Sequence, residues 1–297
     1  ASAVVLGGGG LWHDYTFASS GGMPGLFSEN SISMTGFGKI PLLARMYGRP
    51  FHVYGMGAGP LQQANARKFC RFLSEQAQSI VVRDKGSQDL LEGISGWRQP
   101  VERVADPVYS LDLSRKRVPN VVREIAANHQ VLAVNLRPWR EDNGGRFHSQ
   151  IARSLEQIAR QYKCALVGVP MQGGESLDTA VLRKTFAMIR IDQPAVVLDW
   201  TNRYEELFGV LSVCSGLLAM RLHACLLAHR LHTPVVGIAY DPKVRQHFEE
   251  LGRGNFALPI NAAPDAYTTY LSRVMEGTDG LDEAFKRRLA TIEDDAR

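Results

Sequence analysis

Residues 131–162 read VLAVNLRPWREDNGGRFHSQIARSLEQIARQY, in which an apolar run over Val131–Leu136 precedes an amphipathic stretch over Ser149–Tyr162. The run is short and carries no charge, which is typical of a strand buried on both faces of a parallel sheet. The later stretch repeats apolar residues at helical spacing, so the two together predict one strand–helix unit. Arg137 follows the strand directly and begins the loop to the helix.

This strand–helix unit recurs along the whole chain. Strands are predicted at Ala3–Leu6, Phe51–Tyr54, Ser79–Val82, Val101–Val104, Val131–Leu136, Ala165–Val169, Ala195–Leu198, Val210–Val213 and Val235–Ile238. Helices are predicted at Ile40–Tyr47, Asn65–Gln76, Ser87–Leu91, Ser149–Tyr162, Leu177–Ile189, Asn202–Leu207, Leu218–Leu231 and Val244–Leu251. The alternation predicts an α/β protein with two Rossmann-like domains that face each other across a cleft.

The boundary between the two domains is predicted in Leu111–Asn120, a polar and basic stretch that contains a proline. We assign residues 1–112 to the first domain and residues 113–297 to the second, and expect the last helices to pack back on the first domain. About four strands are few for a doubly wound domain, so an opening strand–helix unit is expected upstream of Ala1.

Composition and charge exclude several classes of protein. Of the 297 residues, 45% are hydrophobic and 22% charged, which is not the profile of a disordered chain, a collagen or a coiled coil. The net charge is +4, and the positively charged residues are spread along the chain, so no nucleic-acid partner is predicted. The longest apolar stretch, Leu207–Met220, is too short to span a bilayer. The four cysteines form no CxxC pair and are predicted to be buried thiols in a reducing compartment: Cys70, Cys164, Cys214 and Cys225.

Two glycine-rich segments follow the first two predicted strands, Gly7–Gly10 and Gly55–Pro60. Neither completes a G-x-G-x-x-G fingerprint, and no phosphate-binding P-loop motif is present, which argues against NAD and ATP. Two interpretations stay open: tight turns, or a wall that leaves room for a bulky acceptor. The Gly/Ser-rich insertion between Tyr15 and Gly38 is a long loop of the kind that is usually functional or mobile.

Cationic side chains follow three predicted strands of the second domain. Arg137 comes after Val131–Leu136, and Lys243 comes after Val235–Ile238. Arg221 and His223 lie in the first turns of the next helix along from Val210–Val213. Because ligands of open parallel sheets bind outside the carboxyl ends of the strands, we expect these cations to converge beside a helix N-terminus.

This pattern predicts a site for a small, multiply charged anion that needs no metal ion. A metal site is not indicated, because no HExxH motif and no cluster of His and carboxylates at ligand spacing occurs. Each cation also has a plainer interpretation, as a surface charge or, for His223, as a core histidine.

The chain resembles the polysaccharide pyruvyl transferase family in motifs that keep the family order to about Leu251. The most specific are Met220–Ala224 (MRLHA) and Pro234–Val244 (PVVGIAYDPKV). The others are Gly8–Gly10 with Asp14, Gly57–Leu61, Arg83–Asp84 with Ser87, Asp106–Val108 and Asn135–Trp139. The resemblance implies a two-domain, glycosyltransferase-B-like fold.

The resemblance also implies a reaction. Phosphoenolpyruvate would be the donor, a sugar the acceptor, and a cyclic pyruvate ketal the product, with release of phosphate and with no cofactor. The acceptor would be a bacterial cell-wall or exopolysaccharide glycan, free or lipid-linked, in the cytoplasm or with peripheral contact to the inner face of the membrane. The donor-binding residues carried over are Arg137, Arg221, Leu222 through its backbone, His223 and Lys243.

Proton transfers in this reaction suggest roles for particular side chains. His223 is predicted to protonate the methylene carbon, because His titrates near working pH. Asp14 is predicted to deprotonate the acceptor, with Asp84 and Asp106 as alternatives. The acceptor-side candidates are Gly9, Gly10, Asp14, Gly57 and Asp84.

Two other functions stay open at this point. A nucleotide-sugar glycosyltransferase of the same fold would need a carboxylate for the ribose, and Glu249 and Glu250 lie too far into their helix. A non-catalytic glycan-binding module would stack sugars on aromatic side chains. The candidates for such stacking are Trp12, Tyr15, Trp139 and Trp200.

Overall fold

The computed structural model describes the chain except residues 16, 18–22, 28–33, 140–144, 174–176, 202, 279–280 and 297. The chain divides into two compact units. The first comprises Ala1–Ser110 with Ile292–Arg297, and the second comprises Leu111–Thr291. Much of the insertion between Tyr15 and Gly38 lies outside the described residues, and so does Arg140.

The first unit contains a parallel sheet. Its strands are β1 (Val4–Gly7), β2 (Gly10–Trp12), β3 (Phe51–Ala58), β4 (Ser79–Val82) and β5 (Glu102–Arg103). They are ordered β1-β3-β4-β5, and β2 also pairs with β3. Its helices are α1 (Met34–Phe37), α2 (Lys39–Met46), α3 (Ala64–Ser74) and α4 (Lys85–Glu92). Large apolar side chains form one core between sheet and helices, among them Trp12, Phe51, Met56 and Phe69.

The second unit contains a six-stranded sheet in which every pair of neighbours is parallel. Its strands are β6 (Val131–Asn135), β7 (Ala165–Gly168), β8 (Ala195–Val197), β9 (Gly216–Ala219), β10 (Val235–Ala239) and β11 (Ala257–Pro259). Its helices are α5 (Asn120–Asn128), α6 (Arg146–Tyr162), α7 (Asp178–Phe186), α8 (Tyr204–Val213), α9 (Leu222–Arg230), α10 (Pro242–Glu250), α11 (Pro264–Met275) and the greater part of α12 (Glu283–Asp295).

The strand order of the second sheet is β11-β10-β9-β6-β7-β8. The chain builds outward from β6 through β7 to β8, then returns to the other side of β6 with β9. This is the doubly wound order of nucleotide-binding sheets, in which ligands bind where the direction of winding reverses. In this sheet that point lies between the carboxyl ends of β6 and β9.

One predicted strand is wrong. Val210–Val213 is the last turn of α8, and the strand lies further along the chain at Gly216–Ala219, of which Leu218 and Ala219 fall within the predicted helix Leu218–Leu231. No charged residue separates α8 from the strand, and the serines between them do not mark a boundary, so hydrophobic periodicity does not locate it. Backbone pairing separates the two segments: Val210 and Leu211 of α8 are almost as buried as Leu217–Ala219, but Leu217–Ala219 pair with β6 on one side and β10 on the other.

Several elements were given no bounds in the sequence-based prediction, which named the last helices only in general. They are β2, β11, α1, α5, α11 and α12. Because Gly10 begins β2 and pairs with Gly57 of β3, the segment Gly7–Gly10 is not a single loop. In the part of the chain that is described, no helix combines the length and apolar character needed to cross a membrane.

Candidate anion-binding site

Asn135 ties together the carboxyl ends of three strands at the winding reversal. It is the last residue of β6 and pairs with Ala219, the last residue of β9. Its fully buried side-chain amide donates from Nδ2 to the carbonyl oxygen of Val169, 2.9 Å away. Its Oδ1 accepts from the backbone N–H of Arg221 at 3.1 Å. Arg221 is therefore held at its backbone, directly at the N-cap of α9.

The guanidinium of Arg221 is held by Asp178, the first residue of α7. Nε donates to Asp178 Oδ2 at 2.7 Å, and Nη2 donates to Oδ1 at 2.6 Å. Asp178 is fully buried and also accepts from the backbone N–H of Met171. Nη2 donates in addition to Oε1 of the exposed Gln172 at 2.6 Å. This leaves Nη1 as the guanidinium nitrogen that bonds to none of the described residues, and the side chain is 20% exposed.

Arg137, two residues beyond β6, reaches across to the loop that follows β10. Its Nη1 donates to the hydroxyl of Tyr240 at 2.8 Å, and its guanidinium carbon lies 4.9 Å from the centroid of the same ring. Trp139 packs edge-on against Tyr240. Within the described ranges, Arg137 forms no ion pair, and its buried Nε has no hydrogen-bond partner. A buried N–H on a charged group is costly to leave without an acceptor.

The other predicted donor residues lie at the same edge of the sheet. Leu222 and His223 are the first two residues of α9, after β9. Lys243 is the second residue of α10, after β10, and its backbone N–H is capped by Asp241 Oδ1 at 3.0 Å. The structure thus brings the donor candidates to the carboxyl ends of three neighbouring strands, beside two helix N-termini. Such N-termini favour anions.

Asp14, a predicted catalytic residue of the first unit, is buried and committed to backbone contacts. Its Oδ2 accepts from the N–H groups of Gln62 and Gln63 at 2.5 and 2.7 Å, just before α3. Gly57, near the carboxyl end of β3, donates its N–H to the carbonyl oxygen of Gly9 at 2.8 Å and pairs with Gly10 of β2. These bonds hold the acceptor-side candidates Gly9, Gly10, Asp14 and Gly57 around β2 and the carboxyl end of β3.

Asp84 follows the neighbouring strand β4 and caps α4, because its Oδ1 accepts from the N–H of Ser87 at 2.7 Å. Arg83 pairs with Asp106 at 2.8 Å and lies 3.8 Å from Oδ2 of Asp84. That Oδ2 is buried and accepts no hydrogen bond from a described residue. Asp84 therefore retains an unused acceptor atom.

Neither metal nor thiol chemistry is indicated by the described side chains. No group of three or more His, Cys, Asp and Glu among them could hold a metal ion. All four cysteines are free and buried, as predicted. Burial raises the pKa of Cys164 to about 11 and that of Cys214 to about 12, and it also raises the pKa values of Cys70 and Cys225. Thiols with raised pKa values are poor nucleophiles at neutral pH.

The aromatic residues considered for sugar stacking differ in exposure. Trp12 is fully buried in the first core, so it cannot stack on a sugar, and Trp139 packs against Tyr240. Tyr15 and Trp200 are the two well-exposed rings of this set.

Sequence reasoning missed three residues that organise the site: Asn135, Gln172 and Asp178. Asp178 carried a usable signal, since it is a lone carboxylate at the start of the predicted helix Leu177–Ile189. Asn135 ends an otherwise apolar buried strand, which is itself unusual. Gln172 lies in a loop, and nothing in the local sequence distinguishes it.

The chain is similar in sequence to a known protein family and to a curated protein. The sequence profile described as polysaccharide pyruvyl transferase matches residues 1–242. The amylovoran biosynthesis protein AmsJ of Erwinia amylovora is 22% identical over 270 residues, which cover 85% of this chain and 63% of AmsJ. The chain therefore spans less than two thirds of the length of that curated relative.

Solved structures with similar folds include two epimerases. A putative UDP-N-acetylglucosamine 2-epimerase from Listeria monocytogenes has a TM-score of 0.64 and 11% identity, over 96% of this chain and 68% of that chain. The UDP-GlcNAc 2-epimerase from Neisseria meningitidis bound to UDP-GlcNAc has a TM-score of 0.58 and 14% identity, over 87% and 73%. At these identities the likeness concerns the fold alone, and it confirms the predicted α/β, glycosyltransferase-B-like class.

Proposed function

The chain belongs to the polysaccharide pyruvyl transferase family, and from that membership we propose that it transfers a pyruvyl group from phosphoenolpyruvate to a sugar of a polysaccharide precursor. The product is a cyclic pyruvate ketal on two sugar hydroxyls, and phosphate is released. AmsJ is by its name a protein of amylovoran biosynthesis. By analogy we assign this chain a cell-wall or exopolysaccharide acceptor, free or lipid-linked, in the cytoplasm or at the inner face of the membrane.

Arg137 supports this proposal most strongly, because its guanidinium is incompletely partnered within the described part of the chain. Among the described residues, its guanidinium has neither an acceptor for the buried Nε nor a carboxylate partner, and it donates to a neutral hydroxyl. It lies at the winding reversal, where ligands of such sheets bind. A bound anion accepts a hydrogen bond from Nε and balances the positive charge of the guanidinium, which supports a phosphoenolpyruvate site here.

Phosphoenolpyruvate carries a carboxylate and a phosphate and so needs two anion-binding groups close together. We assign Arg137 and Nη1 of Arg221 to these two groups. They follow the paired strand ends Asn135 and Ala219 by two residues each. Lys243, at the start of α10, adds a point charge.

The chemistry then needs two proton transfers. His223 donates a proton to the methylene carbon, and the first sugar hydroxyl attacks the central carbon. The C–O bond to phosphate breaks, and the second hydroxyl attacks the same carbon to close the ketal. The two sugar hydroxyls release two protons. One proton restores His223, and an acceptor-side carboxylate accepts the other and passes it to the released phosphate.

We assign that acceptor-side role to Asp14, with Asp84 as the alternative. Oδ2 of Asp14 accepts hydrogen bonds from two backbone N–H groups. Asp84 has a buried oxygen without a hydrogen bond from a described residue. Asp14→Asn and Asp84→Asn, compared at saturating donor, separate the two assignments, because only loss of the base slows turnover without weakening donor binding.

Calorimetric titration tests the proposed function directly. The protein is titrated separately with phosphoenolpyruvate, with UDP-sugars and with a free glycan. We expect heat with phosphoenolpyruvate and none with UDP-sugars. Binding of a UDP-sugar alone would indicate a glycosyltransferase, and binding of the glycan alone would indicate a non-catalytic module.

A further inference from the structure

Asp178 is a buried carboxylate that accepts two hydrogen bonds from the guanidinium of Arg221. Asp178 has no exposed surface and sits at the N-terminus of α7. A fully buried carboxylate needs several donors to offset its lost hydration. The donors to Asp178 are Nε and Nη2 of Arg221 and the backbone N–H of Met171.

The geometry points to Asp178 as a positioning residue for Arg221, an inference that rests on the proposed donor site. The two bonds occupy the Nε–Nη2 edge in the bidentate arrangement that fixes a guanidinium in its plane. We propose that Asp178 thereby directs Nη1 toward the donor, and that Gln172 assists by accepting a second bond from Nη2. Asp178 itself does not contact the donor.

The pair also sets the local charge. Asp178 offsets the charge of Arg221, whereas Arg137 forms no ion pair within the described part of the chain. Arg221 therefore contributes a hydrogen-bond donor held in a fixed orientation, and Arg137 contributes uncompensated positive charge. This division predicts that Arg221 depends on its carboxylate partner for orientation, even though removing that partner makes the site more positive.

The test compares Asp178→Asn with the wild-type protein in two measurements. An amide replaces one acceptor oxygen by an NH₂ group, which cannot accept from the guanidinium, so at least one bond is lost. We expect phosphoenolpyruvate to bind about 10- to 10²-fold more weakly, because a misoriented Nη1 loses its charge-assisted hydrogen bond to the donor. A dissociation constant equal to or lower than that of the wild type would overturn the proposal.

The second measurement is independent of the donor. In protein labelled with ¹⁵N-arginine, the Nε–H resonance of Arg221 is identified by its loss in Arg221→Lys. We expect this proton to be protected from exchange in the wild type and to exchange freely in Asp178→Asn. Unchanged protection would overturn the proposal. If phosphoenolpyruvate does not bind the wild type at all, the proposed function fails, and this resonance alone decides whether Asp178 holds Arg221.

Two further variants guard against loss of folding. Gln172→Ala removes an exposed partner of Nη2 and should weaken donor binding about tenfold, as one hydrogen bond to a charged group does, without unfolding the protein. The matched control is Thr185→Val, which removes a buried hydroxyl of the same helix that bonds only to the carbonyl oxygen of Val181 in the described chain. If Thr185→Val weakened donor binding as much as Asp178→Asn, the effect would be general to α7 and the proposal would fail.

Discussion

At the scale of single residues, the site depends on how three cations differ in their partners. The guanidinium of Arg221 bonds to a carboxylate, and that of Arg137 contacts a tyrosine hydroxyl and ring. Lys243 lies in the first turn of a capped helix, α10. Equal formal charges therefore have different effects on a ligand, because only an uncompensated charge attracts an anion at full strength.

Removing the charge of Arg137 should weaken donor binding. Arg137→Gln removes a cation that contributes charge-assisted hydrogen bonds, so we expect the dissociation constant of phosphoenolpyruvate to rise about 10- to 10²-fold. Calorimetry measures the change. Arg183→Gln is the control, since Arg183 is an exposed arginine paired with Asp199. Equal dissociation constants for Arg137→Gln and the wild type would remove Arg137 from the site.

His223 should act in turnover more than in binding. Gln donates a hydrogen bond but delivers no proton, so His223→Gln should keep most donor affinity and lose about 10²- to 10⁴-fold in rate. Single-turnover rates at saturating phosphoenolpyruvate measure this. A variant whose rate is restored by excess donor would be a binding variant, and the acid would have to be another group.

The sequence predicted the cations and missed the residues that hold them. Arg137, Arg221, His223 and Lys243 follow strands along the chain, and a parallel sheet brings strand ends together, so one-dimensional order was sufficient. Asp178 meets Arg221 across 43 residues. Such a pairing is a property of the packed structure, and no local spacing indicates it.

At the scale of elements, strands with clear polar boundaries were predicted to within a residue or two. Ser79–Val82 coincides with β4, and Val131–Leu136 with β6. Between Leu207 and Met220 the order of helix and strand was right, but the strand was placed too early, at Val210–Val213, because helix and strand there are both apolar and abut at Cys214–Ser215. Where burial is complete on all sides, hydrophobic periodicity no longer distinguishes the two.

Helices α9 and α10 share a buried histidine pair that should make the stability of the fold depend on pH. His229 Nδ1 and His247 Nε2 are 2.8 Å apart, with Phe248 and Phe285 against His229. Burial, and then the charges of His247 and Arg253, lower the pKa of His229 well below its ordinary value. His229 is therefore neutral in the folded protein and gains a proton more readily when unfolded.

A group whose pKa is lower in the folded state binds more protons when unfolded, so its contribution is lost as pH falls below about 6.5. We expect the free energy of unfolding to fall with decreasing pH, His229 contributing about 1.4 kcal/mol per pH unit. Urea unfolding between pH 7 and pH 5 measures the slope. His229→Gln should make it shallower, whereas the exposed His232→Gln should not. The same slope in both variants would contradict the assignment.

At the scale of the whole molecule, two parallel sheets give the chain its glycosyltransferase-B-like fold, and the second carries the cationic edge. Fixed cations and helix N-termini stabilise anionic charge without a metal ion. Pyruvyl transfer should therefore survive extensive dialysis against a chelator. Activity lost on chelation and restored by Mg²⁺ or Mn²⁺ would contradict this prediction.

The central claim is that the edge formed by Arg137 and Arg221 binds phosphoenolpyruvate, and thermal unfolding tests it most directly. A ligand that binds only the folded state stabilises it by about 2.7 kcal/mol at 100 times its dissociation constant. Saturating phosphoenolpyruvate should therefore raise the melting temperature of the wild type by several degrees, and Arg137→Gln and Arg221→Ala should each abolish most of that rise. An unchanged melting temperature for folded wild-type protein, or a full rise in both variants, would contradict the account.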